Sequence, residues 1–319
     1  MPIPSQYELT RYLASKKTVD DRALNQTVMN ELAAQLSAIS SPEPILVLEV
    51  GAGIGTMAER LLERQILHRA TYIAMDRDAE LNAEAQRRLP EWARASGFQA
   101  VKEAPSQIRL RREEQDVLVR LETADLLHFI KREEQKGCCD LIIANAFLDL
   151  MDIPSVLPAL FALLRPRGLF YFTINFDGST ILMPEIDPRL DQKIEQLYHD
   201  TMDQRIINGK QSGHSRTGRR LFRQIPEAGG EILAAGASDW VVFPWERAYP
   251  ADEAYFLHFI VHTMGQALQG HPALASEPFA DWIDRRHAQI ETGDLVYIAH
   301  QIDFLGRANF GDTTPVSAK

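Results

Sequence analysis

Cysteine is almost missing from this chain. Of 319 residues only Cys138 and Cys139 carry thiols, and they are neighbours. Adjacent cysteines are badly placed to bridge, and two of them build neither a disulfide framework nor a zinc cluster, so a reduced, cytoplasmic setting is expected. Long apolar runs are missing too. Nothing approaches the ~18 residues of a membrane span, and the opening stretch MPIPSQYELTRYLASKK lacks the apolar centre of a secretion signal, so no membrane partner is expected. Positive charge is in deficit: Lys and Arg total 34 against 44 Asp and Glu, a net −10. Such a balance repels a phosphate backbone, and no basic, aromatic-interleaved module offsets it, so no nucleic-acid partner is expected. What remains is ordinary globular composition, 45% hydrophobic and 24% charged, at a length that suits two domains or one enlarged α/β unit.

The apolar pattern sets out the elements. Leu24, Val28, Leu32, Leu36 and Ile39 recur at three and four residues, which predicts a helix over 20–40 stopped by Ser40, Ser41 and Pro42. ILVLEV (45–50) is a continuous apolar run with one acid, followed by a glycine-rich turn and helical MAERLLERQ. TYIAM ends a second strand at Asp76, and a helix over 79–89 stops before Pro90. Strands of buried type alternating with helices predict a parallel sheet covered on both faces. Residues 108–126 alternate as a β-hairpin whose second arm ends at Asp125. DLIIA (140–144) is the next strand. A helix over 155–164, a Pro166-Arg167-Gly168 stop and a strand over 169–176 follow. Asp177-Gly178 opens a connection to a helix over 188–207 and a basic helix ending near Pro226. Strands over 231–243 and 295–306 close the chain. The expected organisation is a helical cover (1–42), a cofactor-binding core (43–177), a helical lid (178–226), the closing strands (227–310) with a helical insertion at 250–292, and a tail (311–319).

The richest signal is Leu48-Glu49-Val50-Gly51-Ala52-Gly53-Ile54-Gly55, a strand running through glycines into a helix. Glycine accepts positive φ and lets a ligand approach the backbone, which suits a nucleotide-type ligand. The dinucleotide fingerprint needs glycine at the sixth position, where Thr56 stands. The third glycine falls at the fifth instead, G-x-G-x-G. With Glu49 two residues ahead of Gly51, this pattern resembles motif I of the class I S-adenosylmethionine-dependent methyltransferases. LLRPRGLF resembles the family's L-x-P-G-G turn ahead of strand five, with Arg167 in place of the first glycine. The likeness covers 45–176 well and extends to the two closing strands.

The resemblance implies an α/β fold: a Rossmann-like, seven-stranded, mostly parallel sheet of order 3-2-1-4-5-7-6. Strand 7 is then antiparallel, helices cover both faces, and helical insertions form a lid. The implied cofactor is S-adenosyl-L-methionine, and the implied activity is methyl transfer to O, N or C of a small-molecule acceptor. The implied cofactor residues are Glu49, Gly51, Ala52, Gly53 and Gly55 in the turn, and Asp76 with Arg77 at the ribose. Asp125 and Leu126 would meet the adenine; Asn145, Ala146 and Phe147 would line the methionine side. A plain strand-end acid remains the alternative at Asp76. A shifted register is the alternative at Asp125.

A sulfonium donor is already activated, so the protein mainly aligns the acceptor, excludes water and handles one proton. The pocket in an open α/β sheet lies beyond the carboxyl ends of its strands, here at Phe147, Asp149, Asn175, Phe176 and Asp177. Asp149, His199 and His214 are the candidate catalytic residues. Asn175, Phe176, Tyr198, Asp203, Arg216 and Arg219 are the candidates for acceptor binding. His199 and Asp203, at i, i+4, suit a general base or an ordinary surface pair. Arg216, Arg219, Arg220 and Arg223 form a ladder that fits an anionic acceptor, the methionine carboxylate, or a solvated face. Asp239, inside the sixth strand, calls for a partner from that ladder. Lys17 or Arg22 could reach the methionine carboxylate. His258 and His262 have metal-ligand spacing without the glutamate of H-E-x-x-H or a cysteine cluster, so no metal is expected. Asn145-Ala146-Phe147-Leu148 also lacks the Asn/Asp-Pro-Pro-aromatic loop of many nucleic-acid base methylases. Competing readings are a dinucleotide-dependent oxidoreductase and a non-catalytic S-adenosylmethionine-binding protein.

Overall fold

The computed structural model describes residues 2–39, 43–130, 136–207 and 209–309. Three short helices come first: α1 (Leu9–Ser15), α2 (Lys17–Ala23) and α3 (Gln26–Ser37). The expected single helix is therefore broken. Leu24 turns extended (ψ 125), and the Asn25 side chain caps α3 by accepting the Val28 amide. The Ser40–Ser41–Pro42 stop and the 311–319 tail lie outside the described residues.

The parallel half follows as β1 (Ile45–Val50), α4 (Thr56–Glu63), β2 (Arg69–Asp76) and α5 (Ala79–Ala95). Helix α5 runs on through Pro90 instead of stopping at it. A proline has helix-compatible φ and forfeits one backbone bond here; packing of Trp92 on Phe98 and its indole bond to Glu63 hold the last turns. Next are β3 (Gln99–Ala104), β4 (Gln107–Arg112), β5 (Gln115–Thr123), α6 (Leu126–Phe129), β6 (Cys139–Asn145), a 3-10 turn (Leu148–Leu150), α7 (Ile153–Leu163) and β7 (Leu164–Met183). The remainder is α8 (Pro188–Asp203), a two-residue hairpin β8 (Ile206–Ile207) and β9 (Lys210–Gln211), α9 (Thr217–Glu227), β10 (Gly230–Ala237), β11 (Trp240–Val242), α10 (Glu253–Leu268), α11 (Ser276–Glu291) and β12 (Val296–Ala308).

The main sheet has ten strands in the order β10-β12-β7-β6-β1-β2-β5-β4-β3, with β11 added on β12. β5, β2, β1, β6 and β7 pair in parallel, while β12 is antiparallel to both β7 and β10. Reading β5-β2-β1-β6-β7-β12-β10 gives the expected 3-2-1-4-5-7-6 with strand 7 reversed. β4 is the expected hairpin arm. β3 was not anticipated, and the sixth strand is split into β10 and β11. One core packs α2–α5 and α10 on one face of the sheet; the other packs α6, α7 and α9 on the opposite face. In the second core Phe161, Phe170 and Phe172 stack at 4.7–6.4 Å.

β7 departs most from expectation. It does not end at Phe176 but continues to Met183, crossing Ile174 (φ 56) and Gly178 (φ 73). The register against β12 shifts twice, and Asp303 fills the irregularity: it accepts the Ile174 amide at 2.7 Å and the Asn25 amide at 2.9 Å. Beyond the main sheet β7, β12 and β11 therefore form a three-stranded ribbon. Helix α8 lies along its edge, with Glu195 accepting the Thr180 amide. α8 itself ends at Asp203, not Ile207, because the chain turns back through the β8–β9 hairpin.

Candidate active site

β1 lies between β2 and β6, where chain connections leave the sheet in opposite directions, and a crevice opens there. Gly51, Gly53 and Gly55 all take positive φ (68, 55 and 83°), and Gly55 caps α4 with Thr56 as its first residue. A side chain at Gly51 would collide with the Phe147 ring; one at Gly53 would press on Leu13 of α1 at 3.3 Å. Ala52 is buried, its amide bonded to Met75. Asp76 closes β2 and holds the turn: Oδ2 accepts the Gly53 amide and Oδ1 the Asp78 amide, both at 2.9 Å. An ionised carboxylate has about four acceptor positions, so room remains on both oxygens. Arg77 is exposed beside it.

The other expected cofactor residues gather at the same strand ends, with one exception. Asp125 caps α6, its Oδ1 accepting the Leu127 amide at 2.9 Å, and Leu126 is buried behind it. Asn145 accepts the Thr173 hydroxyl at 2.9 Å; Ala146 follows with φ 51, and Phe147 turns back over Gly51. Glu49 is the exception. It lies beneath the turn, buried, accepting the Tyr72 hydroxyl at 2.7 Å, and burial pushes its carboxyl up to about 8.

The N-terminal helices cover this crevice. Arg60 of α4 is fully buried and binds Asp20 and Asp21 of α2, anchoring the cover to the core. Lys17 is engaged by Asp21 and Glu63, and Arg22 by both oxygens of Glu253, so neither reaches toward the turn. The cation that the sequence reading passed over is Lys16, which is buried, bonded to Asp20 at 2.7 Å, and within electrostatic reach of Asp149.

Asp149, an expected catalytic residue, lies on the 3-10 turn after β6. Its Oδ1 is buried without a hydrogen-bond partner, and burial raises its carboxyl above the usual range. Tyr12 of α1, Tyr198 of α8, and Arg205 stand within its field, and Tyr297 of β12 within that of Tyr12 and Tyr198. Among the described residues no hydrogen bond occupies the Tyr12, Tyr198 or Tyr297 hydroxyls, nor does any ion pair occupy Arg205. Burial pushes the Tyr198 phenol up to about 12, so it stays a neutral donor. The 178–226 segment closes over this group: Ser212 donates to the Leu150 carbonyl at 2.6 Å, and Gly213 packs so tightly on Asp149 that no side chain fits there. Tyr12 and Tyr297 carry no motif; only their elements' packing reveals them.

His199, Asp203 and Arg216 line a polar cavity of about 190 Å³ with Gly178, Glu195 and Ser215. His199 bonds the Thr180 hydroxyl at 3.0 Å and meets the Phe176 ring edge-on; burial lowers its pKa. Asp203 accepts the Ser215 amide at 2.7 Å and sits 3.1 Å from His214, whose Nδ1 accepts the Arg216 amide. Phe176 is buried behind His199 and does not line the cavity. Asn175 is enclosed between β7 and β12 and donates to the Ile302 carbonyl.

The arginine ladder divides. Arg216 precedes α9, and Arg219 grips buried Asp177 at 2.9 Å, so its charge is already matched. Asp239 takes no arginine; its partner is His300, at 2.7 Å. His258 meets His287 at 2.9 Å, while His262 stacks on Tyr7. Among the described residues no group of three or more His, Cys, Asp or Glu could hold a metal ion, and no helix is long and apolar enough to cross a membrane.

Known proteins can now be set beside this geometry. A family model described as a methyltransferase domain matches residues 22–229. No curated protein matches the chain. Among solved structures, the YcgJ protein of Bacillus subtilis aligns at TM-score 0.44 and 12% identity, covering 89% of this chain and 100% of that one. A SAM-dependent methyltransferase of Methanosarcina mazei aligns at 0.42 and 12%, covering 84% and 94%. Geranyl diphosphate C-methyltransferase of Streptomyces coelicolor A3(2), solved with Mg2+, geranyl diphosphate and S-adenosyl-L-homocysteine, aligns at 0.42 and 10%, covering 89% and 79%. With well over half of its length matched by that one family model, the chain belongs to the methyltransferase-domain family, and its cofactor is S-adenosylmethionine.

Proposed function

We propose that the chain methylates a small-molecule acceptor enclosed between the loop after β6, the segment carrying α8, and the N-terminal helix α1. The observation that carries this reading is the closed group around Asp149. Among the described residues, a carboxylate with an unsatisfied buried oxygen, three phenol hydroxyls without hydrogen bonds and one guanidinium without an ion pair form a set that a bound ligand would complete. Segments from both ends of the core shut over it, which favours a compact acceptor over a polymer.

The residues present fit the methyl donor. Gly51, Gly53 and Gly55 put no Cβ on the turn, Asp76 keeps acceptor capacity for sugar hydroxyls, and Asp125 with Leu126 offers an acid and an apolar surface at the next strand end. Asn145, Ala146 and Phe147 are assigned to the methionine side, and Lys16, itself bonded to Asp20, adds positive charge within reach of Asp149. When bound, S-adenosylmethionine supplies a methyl group on a sulfonium, already activated for displacement.

The chain's part is alignment, exclusion of water and proton handling; positioning alone is worth roughly 7–11 kcal/mol in favourable systems. Asp149 accepts a proton from the acceptor, the raised pKa of its carboxyl bringing it closer to the working range of a general base. Tyr12, Tyr198 and Tyr297 orient the acceptor through their hydroxyls, and Arg205 favours one that carries negative charge. Cys138 and Cys139 are thiols and not a disulfide, which suits a reduced cytoplasm. The test is transfer of tritiated methyl into fractionated metabolites. Label in a small-molecule fraction, lost in Asp149→Asn, supports the reading. Label confined to protein or nucleic acid contradicts it, and binding without turnover would make the chain a non-catalytic binder.

A further inference from the structure

The ribbon of β7, β12 and β11 leaves one face bare. Strand pairing fixes its rows. Val241 lies opposite Ile298 and Ile298 opposite Ile181; two residues along, Val296 lies opposite Met183, with Phe243 next to Val296 in the same sense. Residues opposite one another share a face, and their alternates point the other way. Here the alternates Trp240, Val242, Tyr297 and Ala299 are buried in the first core. The bare rows belong to neither core. Ile181 is 41% exposed, Met183 44%, Val241 42%, Phe243 48%, and Trp245, two residues further along, 72%. Helix α9 covers this side only lower down, where Phe222 packs on Phe304 at 4.8 Å and Arg219 reaches Asp177.

We propose that this face is the contact between two copies of the chain, packed sheet against sheet across a two-fold axis. Area favours it. Side chains of this size and exposure offer on the order of 500 Å² of apolar surface, near the top of what a monomer leaves bare. Self-mating with a surrounding rim brings the total into the ~1,200–2,000 Å² of a stable interface. Charge favours it as well. Two copies at net −10 repel except where they touch without charge, and the six residues of the two rows carry none. The surround has both signs, with Arg247 facing Asp294 at 3.7 Å, Glu246 following Trp245 in the chain, and Glu185 lining a cleft with Ile181 and Met183. That mixture suits an isologous contact, whereas an anionic lipid surface would call for a basic rim. The buried side of the same ribbon carries Tyr297, so the contact braces one wall of the group around Asp149.

Sedimentation equilibrium of the full chain, from low to high micromolar, tests this. The wild type is expected at twice the 36.0 kDa chain mass. Val241→Glu with Phe243→Glu is expected at the single mass, with cooperative unfolding and S-adenosylhomocysteine binding retained and the melting temperature lowered only by the loss of the partner copy. Met183→Glu alone gives the same reading should the double variant fail to fold. Val101→Glu, on exposed β3 at the far edge of the sheet, is expected to stay dimeric. A single-mass wild type at every concentration overturns the proposal, as does a dimer that survives the face variants or is lost only in Val101→Glu. A single-mass wild type that floats with phosphatidylcholine vesicles assigns the face to lipid, and equally overturns it.

Discussion

The carboxylate of Asp76 accepts the amide of Gly53 at 2.9 Å, so the acid that ends β2 also fixes the turn that opens after β1. In the proposed assignment Asp76 thereby links donor binding to the shape of the loop. Asp76→Ala removes a charge-assisted bond worth roughly 1.5–3 kcal/mol. It is expected to weaken S-adenosylhomocysteine binding at least tenfold and to lower the melting temperature slightly. Gly53→Val forces a β-branched residue into φ 55 against Leu13, costing about 1–3 kcal/mol of strain. Calorimetric titration and thermal melts check both; normal titration by Asp76→Ala would remove the ribose assignment.

Glu49 gives the fold a pH dependence. Burial lifts its carboxyl from 4.5 to about 8 in the folded chain. The folded state therefore holds a proton that the unfolded state releases. This stabilisation is complete below pH 4.5 and is lost as pH rises through about 8. The cost is roughly 1.4 kcal/mol per pH unit at most, shared with Tyr72 and Arg60. Glu49→Gln keeps an acceptor for Tyr72 and cannot titrate, so its melting temperature should fall less than the wild type's across that window. Parallel curves would show that Glu49 titrates normally.

Arg219 illustrates what a local pattern conceals. Its partner Asp177 is 42 residues away in sequence and almost wholly buried. Arg219→Ala leaves that carboxylate without its main counter-charge, costing on the order of 1–3 kcal/mol given Arg219's own exposure. Thermal stability should drop while the KM for the acceptor stays put. A changed KM at wild-type stability would return Arg219 to the acceptor site.

The parallel half of the fold was legible because its strands are buried on both faces and read as unbroken apolar runs, each ending where the glycine turn, Asp76 or Asn145 begins. The antiparallel half was less so. Asp177 and Gly178 have turn chemistry, yet β7 passes through them because Arg219 matches the acid and Gly178 supplies the positive φ. β3 is mostly exposed and carries little apolar pattern. Asp239 and His300 meet across 61 residues, a pairing no helical spacing announces. Arg167 stands where the related turn has glycine and adopts φ 61, the conformation glycine would take. In the proposed acceptor site Asp149 is named by the sequence from its place after β6, whereas Tyr12, Tyr297 and Lys16 are not: distant segments bring them together.

Asp149→Asn should lower kcat by about 10²–10⁴ if the carboxylate takes the acceptor's proton, with S-adenosylhomocysteine affinity unchanged. In the wild type kcat/KM should climb with pH through the raised pKa of Asp149 and then level. A flat profile with undiminished kcat in the variant would leave Asp149 an orienting group at most.

The most direct measurement is a calorimetric titration of protein stripped of co-purified compounds, with S-adenosylmethionine and with S-adenosylhomocysteine. One site per chain for each, lost or much weakened in Asp76→Ala, is the expected result. No heat with either ligand would contradict the assignment of the crevice between Val50 and Thr56 to the methyl donor.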